Sequence, residues 1–369
     1  MSKLLKDERE LLSKPGDTIV DTLEHIKMSQ AELSERMGKT PSKINDLISG
    51  KEPITVSTAF QLEKVLGIDA QFWLNREMIY REKLSRLDQE DALEECNDWL
   101  KTQPIKELKE CGYIKTAKIG PAMAEECLKF YGVAAPPQWE ALYVTQYASV
   151  NFRKSEKHKD TLSSMAAWLR IGEIEMRKLN LKAFDKDLFK QNLAEIRKLV
   201  KTHPEDFAEQ LQILCLSAGV AVIYTMCISK APINGAARWI GGNPLIQLTD
   251  RYKLNDHFWF TFYHEAGHVL LHGKKDIFLE EYSGYTLDTQ KEKEADDFAN
   301  KWLLVENIEN DFGDRITEHD IRVVARKYQT HPAIVLGRLQ HLGILSYSFG
   351  ASLKLKISLN DVINKKGGF

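Results

Sequence analysis

One short segment, WFTFYHEAGHVLLH at residues 259–272, restricts what this chain can fold into more than any other. It is an apolar run with helical spacing, and within it His264 and His268 stand four residues apart. Residues at that spacing lie one above the other on a single helix face, close enough to hold one metal ion. Glu265, between them, can reach a water molecule on that ion. This arrangement is typical of zinc hydrolase helices, so we predict a helix with a metal site and Glu265 as its catalytic residue.

The third ligand of a catalytic zinc site must come from outside this helix, because such a site usually has three protein ligands. The segment QKEKEADDFANKWLL at 290–304 has the pattern of a second helix. Glu292 and Asp296 share one face of it. We predict that Glu292 binds the metal and that Asp296 accepts the free N–H of a ligand histidine. Glu294, on another side of the helix, is the alternative ligand.

His272, four residues after His268, is a candidate for a third histidine ligand, but helix geometry prevents it from binding the same ion as His264. It lies about 12 Å from His264 along a straight helix, whereas zinc–nitrogen bonds are about 2 Å long. The longer motif H-E-x-x-H-x-x-G-x-x-H is absent, because Leu271 and Lys274 occupy its glycine and last histidine positions. We therefore expect His272 to lie behind the ligands or in the core.

The chemistry expected of these parts is metal-assisted hydrolysis with one Zn²⁺ per chain. Glu265 would take a proton from water and deliver it to the leaving amine. The oxyanion needs a second electrophile, for which Tyr328, His331 and Arg338 are candidates that the sequence leaves open. Two other interpretations are histidines that serve only the core and an inert structural metal site. A structural site has no need of Glu265 beside the metal.

The bulk properties narrow the class of protein. A length of 369 residues is enough for two or three domains, and the net charge of −2 gives no general attraction to nucleic acid or anionic membrane. No apolar stretch approaches the roughly 18 residues of a membrane span, and the charged segment MSKLLKDERELLSK has no signal-peptide core. The five cysteines include no C-x-x-C pair. We expect a cytoplasmic protein without a membrane partner.

Residues 15–85 have a different sequence pattern, which predicts short helices with clear capping residues. Ser29 begins a capping box and Gly38 ends the helix that follows. Thr40-Pro41 then begins the helix PSKINDLIS, and further helices are predicted over 55–66 and about 69–85. Two short helices joined by the turn MGKT predict a helix-turn-helix. Its expected core residues are Ala31, Leu33, Met37, Ile44, Leu47 and Ile48.

The second helix of such a motif enters the DNA major groove with its first residues facing the bases. The residues we expect to contact a DNA operator are Gln30, Thr40, Ser42, Lys43 and Asn45. Residues 15–82 carry more acidic than basic side chains, with Asp46 and Glu52 near the expected DNA face. That charge would weaken binding by a monomer, so we expect a homodimer on a two-fold operator. The alternative is a helical domain that binds protein.

The remaining segments complete an α+β, mostly helical chain. Residues 86–150 are predicted to be a helical connecting region in which Pro136-Pro137 breaks any helix, 151–345 a zincin-like peptidase domain, and 346–369 a tail. Three strand candidates, AGVAVIYTM, AARWIGG and NPLIQLT, precede the metal helix. They predict a small antiparallel sheet whose edge could hold an extended peptide.

Two segments of the chain resemble known families. The stretch from PGDTIVDTLEHIKMSQAELSERMGKTPSKINDLISG to QFWLN resembles the Xre-type helix-turn-helix of HigA-like antitoxins. The stretch from GVAVIYT through HEAGHVLLH to EKEADDFANKWLL resembles the ImmA/IrrE metallopeptidases, and the likeness spans about residues 15–345. It implies a zinc-dependent endopeptidase that cleaves a transcriptional repressor, or a toxin–antitoxin component, and so relieves repression.

The resemblance also assigns residues. His264 and His268 match the metal histidines of the ImmA/IrrE pattern, Glu265 its catalytic acid, and Glu292 the acidic ligand of the E-x-x-A-[N/D] pattern. Asp296 stands where asparagine is common, and an aspartate can still orient a histidine. The interpretation is a DNA-binding regulator with a zinc peptidase. The alternatives are an antitoxin-like repressor whose peptidase fold is only a scaffold, and a hydrolase of small amides.

Overall fold

The computed structural model describes residues 3–144, 159–231, 233–249, 251, 253–273, 278–279, 289–304, 308–313 and 315–359. The chain divides into two compact units. The first comprises Met1–Leu100 with Thr116–Glu126, and the second Lys101–Lys115 with Cys127–Phe369. The predicted domain boundaries at 85, 150 and 345 stay predictions, and the last ten residues of the predicted tail lie outside the described part.

The first unit is built from helices whose ends follow the predicted caps. Ser29 Oγ accepts a hydrogen bond from the backbone N–H of Glu32, and Thr40 Oγ1 accepts one from that of Lys43. Gly38 ends its helix in the left-handed conformation. The helices are α1 (Lys3–Glu10), α2 (Pro15–Ile26), α3 (Gln30–Met37), α4 (Pro41–Ile48), α5 (Val56–Leu66) and α6 (Ala70–Glu94).

Helices α2 to α6 enclose one apolar core. Leu33, Met37, Ile44 and Leu47 are buried in it, as predicted, and Ile48 packs against it half-buried. The placement of Ala31 in the core was wrong. It is exposed, because it lies on the face of α3 opposite to Leu33.

Helix α6 is longer than predicted, since it continues past residue 85 to Glu94. No glycine or proline occurs between residues 68 and 103, so nothing in the sequence ends the helix at 85. Ion pairs one turn apart support the helix, the exposed pair of Arg86 with Glu82 and the partly buried pair of Arg81 with Glu77.

Shorter helices follow between residues 97 and 144. The expectation that Pro136-Pro137 breaks a helix was wrong, because proline is well tolerated in the first turn and these two begin one. The elements are α7 (Asn97–Thr102), α8 (Ile105–Glu110), α9 (Pro121–Tyr131), α10 (Pro136–Trp139) and a π-helical turn (Glu140–Val144).

The second unit combines helices with one small sheet. Its helices are α11 (Lys159–Met176), α12 (Lys186–Thr202), α13 (Phe207–Ser217), α14 (Asn255–Leu271), α15 (Thr289–Leu303), α16 (Glu318–Lys327) and α17 (Pro332–His341). Its strands are β1 (Ala221–Tyr224), β2 (Gly235–Ile240), β3 (Asn243–Leu248) and β4 (Phe278–Leu279).

The sheet is mixed, which corrects the prediction of a wholly antiparallel sheet. The described strands lie in the order β1-β3-β2-β4, with β1 parallel to β3 and the other pairs antiparallel. Gly241-Gly242, both at positive φ, form the tight turn of the β2–β3 hairpin. Strands β1 and β2 follow each other in the chain but are not neighbours in the sheet, because β3 lies between them. The ten residues 225–234 that link them are enough to span the width of β3.

Helix α14 is the centre of the second unit. It packs against β2, β3, α15 and α17, and from Phe258 to Leu270 all but Phe260 are buried. Such all-round burial explains why its sequence is apolar on every face rather than on one stripe. Among the described residues, no helix has both the length and the apolar character that crossing a membrane requires.

Candidate metal centre and helix-turn-helix surface

The site forms where α14 and α15 cross at close range. A Cβ placed on Gly267 would lie 3.2 Å from Cα of Ala295 and 3.2 Å from a ring carbon of Phe298. Glycine on one helix and alanine on the other let the two backbones approach. This approach brings the histidines of α14 within reach of the acidic side chains of α15.

Three predicted ligands converge at this crossing. His264 Nε2 lies 2.9 Å from His268 Nε2 and 3.1 Å from Glu292 Oε2, and His268 Nε2 lies 3.5 Å from Glu292 Oε1. Four ligands at zinc bond lengths stand about 3.3 Å apart in a tetrahedron. Two imidazoles and one carboxylate at these separations can therefore hold a metal ion, and the three ligand atoms all lie within 4.8 Å of one another.

The outward nitrogens of both histidines are hydrogen-bonded. When Nε2 is the ligand atom, Nδ1 carries the proton, and His264 Nδ1–H then donates to Asp296 Oδ1 at 2.9 Å. In the same state His268 Nδ1–H donates to Nδ1 of His272 at 2.9 Å, and His272 Nε2–H donates to Glu294 Oε2 at 3.1 Å. Each of the two histidines is thus connected by hydrogen bonds to a carboxylate. His264 is bonded directly to Asp296, and His268 is connected through His272 to Glu294.

The protonation states also suit a metal. Burial opposes ionisation of Glu292, but hydrogen-bonding and coulombic interactions with His264 and His268 outweigh it and lower the pKa of Glu292 to about 2. These hydrogen bonds need a proton on Nε2 of the rings, and a metal ion bound there would take the place of that proton. Burial lowers the pKa of His268, which favours the neutral imidazole. A charged carboxylate and a neutral imidazole are the forms that bind metal ions.

Glu265 is completely buried, and β2 lies against it. A Cβ on Gly235 would lie 2.9 Å from Oε1 of Glu265 and 2.5 Å from the methyl group of Thr261. The absence of a side chain at Gly235 therefore leaves the space that the Glu265 carboxylate occupies.

A cavity of about 420 Å³ opens beside the ligands and is lined by His264 and Glu292. Of the three oxyanion candidates, Arg338 lines this cavity, whereas Tyr328 and His331 are not among its lining residues. His331 instead begins α17, where its Nδ1 accepts a hydrogen bond from the backbone of Ala333.

Sequence reasoning missed the structural roles of Gly235 and Gly267 and assigned Glu294 only as a rival ligand. The clue for Gly267 was a glycine inside a helical pattern, which often marks close packing. Gly235 gave no usable signal, because its neighbour Glu265 is thirty residues away along the chain.

The residues predicted to contact DNA lie on α3, α4 and the turn between them. All five have exposed side chains: Gln30, Thr40, Ser42, Lys43 and Asn45. Thr40 also caps α4 through its hydroxyl, which occupies one of its hydrogen-bonding positions. Asp46 and Glu52, near the same surface, are half-buried.

Two family models match the chain. Residues 21–73 match the model described as helix-turn-helix, and residues 219–339 match the one described as IrrE N-terminal-like domain. Both parts of the predicted resemblance are confirmed by these matches.

Individual relatives cover one part of the chain. An uncharacterized HTH-type transcriptional regulator, YddM of Escherichia coli (strain K12), is 36% identical over 62 residues, which are 17% of this chain and 66% of that protein. Virulence-associated protein I of Dichelobacter nodosus is 31% identical over 77 residues, 21% of this chain and 71% of that protein. An addiction module antidote protein of a HigA family from Coxiella burnetii is 22% identical, covering 29% of this chain and 98% of its own, with a TM-score of 0.20.

Proposed function

The chain belongs to the helix-turn-helix family through residues 21–73 and carries an IrrE N-terminal-like domain over 219–339, and on this premise we propose a regulator that is also a protease. The N-terminal module binds a DNA operator. The C-terminal domain is a zinc-dependent endopeptidase that cleaves a regulatory protein, either a partner or the chain itself, and so relieves repression. The convergence of His264, His268 and Glu292 beside the buried Glu265 carries this proposal.

The ligand set supports zinc as the metal. Two imidazole nitrogens and one carboxylate oxygen are a common catalytic zinc set, which leaves a coordination position open. The hydrogen bonds of His264 with Asp296 and of His268 with His272 hold both rings with Nε2 facing the Glu292 carboxylate, where these three residues would hold the metal. When bound, zinc polarises a carbonyl oxygen and lowers the pKa of water to about 7.

Two residues of the chain have separate roles in the proposed reaction, Glu265 in proton transfer and Glu292 as the charged ligand. Glu265 accepts the proton of the attacking water and passes it to the nitrogen of the leaving amine. Its burial excludes bulk water, so the proton stays within the site. Glu292 stays ionised at neutral pH and so contributes one negative charge to the ligand set.

The N-terminal module supplies the regulatory half of the proposal. Its exposed Ser42, Lys43 and Asn45 stand in the first turns of α4, where a recognition helix contacts bases and phosphates. We expect two copies to bind one operator, because the module has few basic residues to neutralise phosphates. Sedimentation of the full chain at micromolar concentration, with and without DNA, measures this. A strict monomer in both conditions contradicts the homodimer.

The test compares wild type with Glu265→Gln. New protein N-termini are mapped by mass spectrometry in cells that express either form, and a reporter follows regulation. We expect cleavage products with wild type only, a decrease of at least about 100-fold in the variant, and an unchanged zinc content. Equal cleavage by both forms would show that Glu265 is not the catalytic residue.

The same pair tests the alternative of an antitoxin-like repressor with a peptidase scaffold. Such a protein would regulate the reporter equally well with Glu265→Gln and would produce no new N-termini. Loss of regulation in the variant, with DNA binding intact, rules that alternative out.

A further inference from the structure

The cavity beside the ligands extends well beyond them. Glu292, Asp296 and Asn300 all line it, and they stand four residues apart along one face of α15. At 1.5 Å per residue, Asn300 lies about 12 Å along the helix axis from Glu292. Ile334 and Arg338 of α17 also line the cavity.

The carboxylates that line the cavity already have partners. Asp256 forms an ion pair with Lys354 at 2.6 Å, and both side chains are more than nine-tenths buried. Asp296 accepts a hydrogen bond from His264, and Glu292 belongs to the ligand set. Lys354 therefore neutralises Asp256, while Glu292 and Asp296 interact with the histidines of the ligand set.

Arg338 is a cation on the same cavity wall. Among the described residues its guanidinium has one hydrogen bond, to Asn300 Oδ1 at 3.5 Å, which is long for such a bond. Within the described ranges no carboxylate forms an ion pair with it. The guanidinium has five N–H donors arranged to bind a carboxylate with two parallel hydrogen bonds.

We propose that the end of the cavity beside Arg338 is a subsite for an acidic side chain of the substrate. The inference rests on the proposed peptidase function and names the class of peptide cleaved. The positive charge of Arg338 attracts the carboxylate, while Phe260, Leu303 and Ile334 on the cavity wall contact its methylene groups.

The position of that acidic residue follows from the distance along α15. Nη1 of Arg338 lies 3.5 Å from Oδ1 of Asn300, which stands about 12 Å along the helix axis from Glu292. An extended peptide advances about 3.3 Å per residue. We therefore expect the acidic residue about three or four positions from the scissile bond.

A structural role for Arg338, joining α17 to α15 through Asn300, predicts a different outcome. In that case its removal lowers the stability of the second unit and leaves peptide preference unchanged. The experiment therefore measures both properties in the same variants.

The experiment selects peptides by binding, so that it does not depend on cleavage. Full-length, zinc-loaded Glu265→Gln is used to select from a display library of random peptides, alone and combined with Arg338→Lys or Arg338→Glu. Thermal unfolding and zinc content are measured for each form. The preferred peptide is then synthesised with Glu or Gln at the selected position, and wild type is tested for cleavage of both.

We expect Glu265→Gln to select peptides that are enriched in Asp and Glu at one position. The double variant with Arg338→Lys should keep this enrichment, and the double variant with Arg338→Glu should instead select Lys and Arg at that position. The Glu peptide should bind on the order of tenfold more tightly than the Gln peptide. The absence of acidic enrichment, or the same enrichment with Arg338→Glu, overturns the proposal. If the variant binds acidic peptides selectively but wild type does not cleave them, the subsite proposal stands and the proposed peptidase function is refuted. If wild type cleaves peptides without a preference for acidic residues, the peptidase function stands and the subsite proposal is refuted.

Discussion

The Glu265 carboxylate of α14 occupies space that a side chain at Gly235 of β2 would need: a Cβ on the glycine would lie 2.9 Å from Oε1 of the glutamate. Separations under about 3.0 Å are not found for real Cβ atoms, so a side chain at residue 235 must displace its neighbour. The neighbour is a completely buried carboxylate with little room to move. The position of Glu265 thus depends on a residue of the sheet.

Gly235→Ala should therefore impair cleavage without removing the metal. The added methyl group shifts Glu265 or Thr261, and overpacking of this kind costs about 1–3 kcal/mol of stability. We expect cleavage to fall at least about tenfold, since misplacing a catalytic group by about 1 Å can cost 100-fold. Cleavage rate and zinc content are measured together. The matched control is Gly273→Ala, where a Cβ meets nothing within 4 Å; equal activity of both variants would contradict the prediction.

Glu294 should affect metal affinity although it is not predicted to touch the ion. It accepts the N–H of His272, which in turn accepts that of His268. Loss of such an outer hydrogen bond typically weakens metal binding about 10–100-fold. Competition with a chelator measures this loss for Glu294→Gln. Asp297→Asn, an exposed carboxylate on the same helix, is the control, and affinity equal to wild type in Glu294→Gln would refute the role of this hydrogen-bonded chain.

Zinc content identifies the ligands themselves. Elemental mass spectrometry of purified protein should find one zinc per wild-type chain and none in His264→Ala or Glu292→Ala, because each removes one of three ligands. Glu294→Ala should keep its zinc when zinc is in excess. Retention in Glu292→Ala with loss in Glu294→Ala would transfer the third ligand to Glu294.

The sequence was informative wherever function follows from spacing along one helix. His264, Glu265 and His268 are placed together by helix periodicity alone, and Glu292 with Asp296 by the same rule on a second helix. That these two helices meet depends on Gly267 and Ala295, and no pattern in either helix specifies its partner.

Other features were beyond such reasoning because they arise between distant segments. The parallel pairing of β1 with β3 is not specified by the apolar pattern of either strand. The pairing of Asp256 with Lys354 joins residues almost a hundred positions apart. The sequence predicts Arg338 as one oxyanion candidate, whereas the cavity and the hydrogen bond to Asn300 place it beside the last turn of α15.

Lys43 and Asn45 should matter for DNA binding if α4 is the recognition helix. A good base contact contributes about 1–3 kcal/mol of discrimination, so Asn45→Ala should weaken binding to a preferred sequence and relax its specificity. Lys43→Ala should reduce the salt dependence if it contacts a phosphate. Fluorescence anisotropy with DNA selected by wild type from a random library measures both. Lys64→Ala, an exposed lysine on α5, is the control, and variants indistinguishable from it would favour a protein-docking module.

Stability should decrease in mild acid because of His203. Burial lowers its pKa to about 4, and its Nδ1 accepts a hydrogen bond from Trp259 Nε1. Its ordinary pKa is 6.5. The unfolded chain therefore binds a proton at a pH where the folded chain does not, and stability falls as the pH drops from 6.5 to about 4. Below that the contribution is constant, because both states are protonated.

His203→Asn tests this dependence. Asparagine tolerates the left-handed conformation found at residue 203, where φ is 43°, and can still accept a hydrogen bond. The free energy of unfolding in urea is measured at several pH values with a chelator present, so that the metal ligands do not add zinc-dependent changes. We expect a smaller decrease in acid for the variant than for wild type. Burial also lowers the pKa of His331 and of His268, and these two residues account for a remaining slope. His25→Asn, at an exposed position, should behave as wild type, and equal slopes for all three proteins would show that His203 does not govern the acid sensitivity.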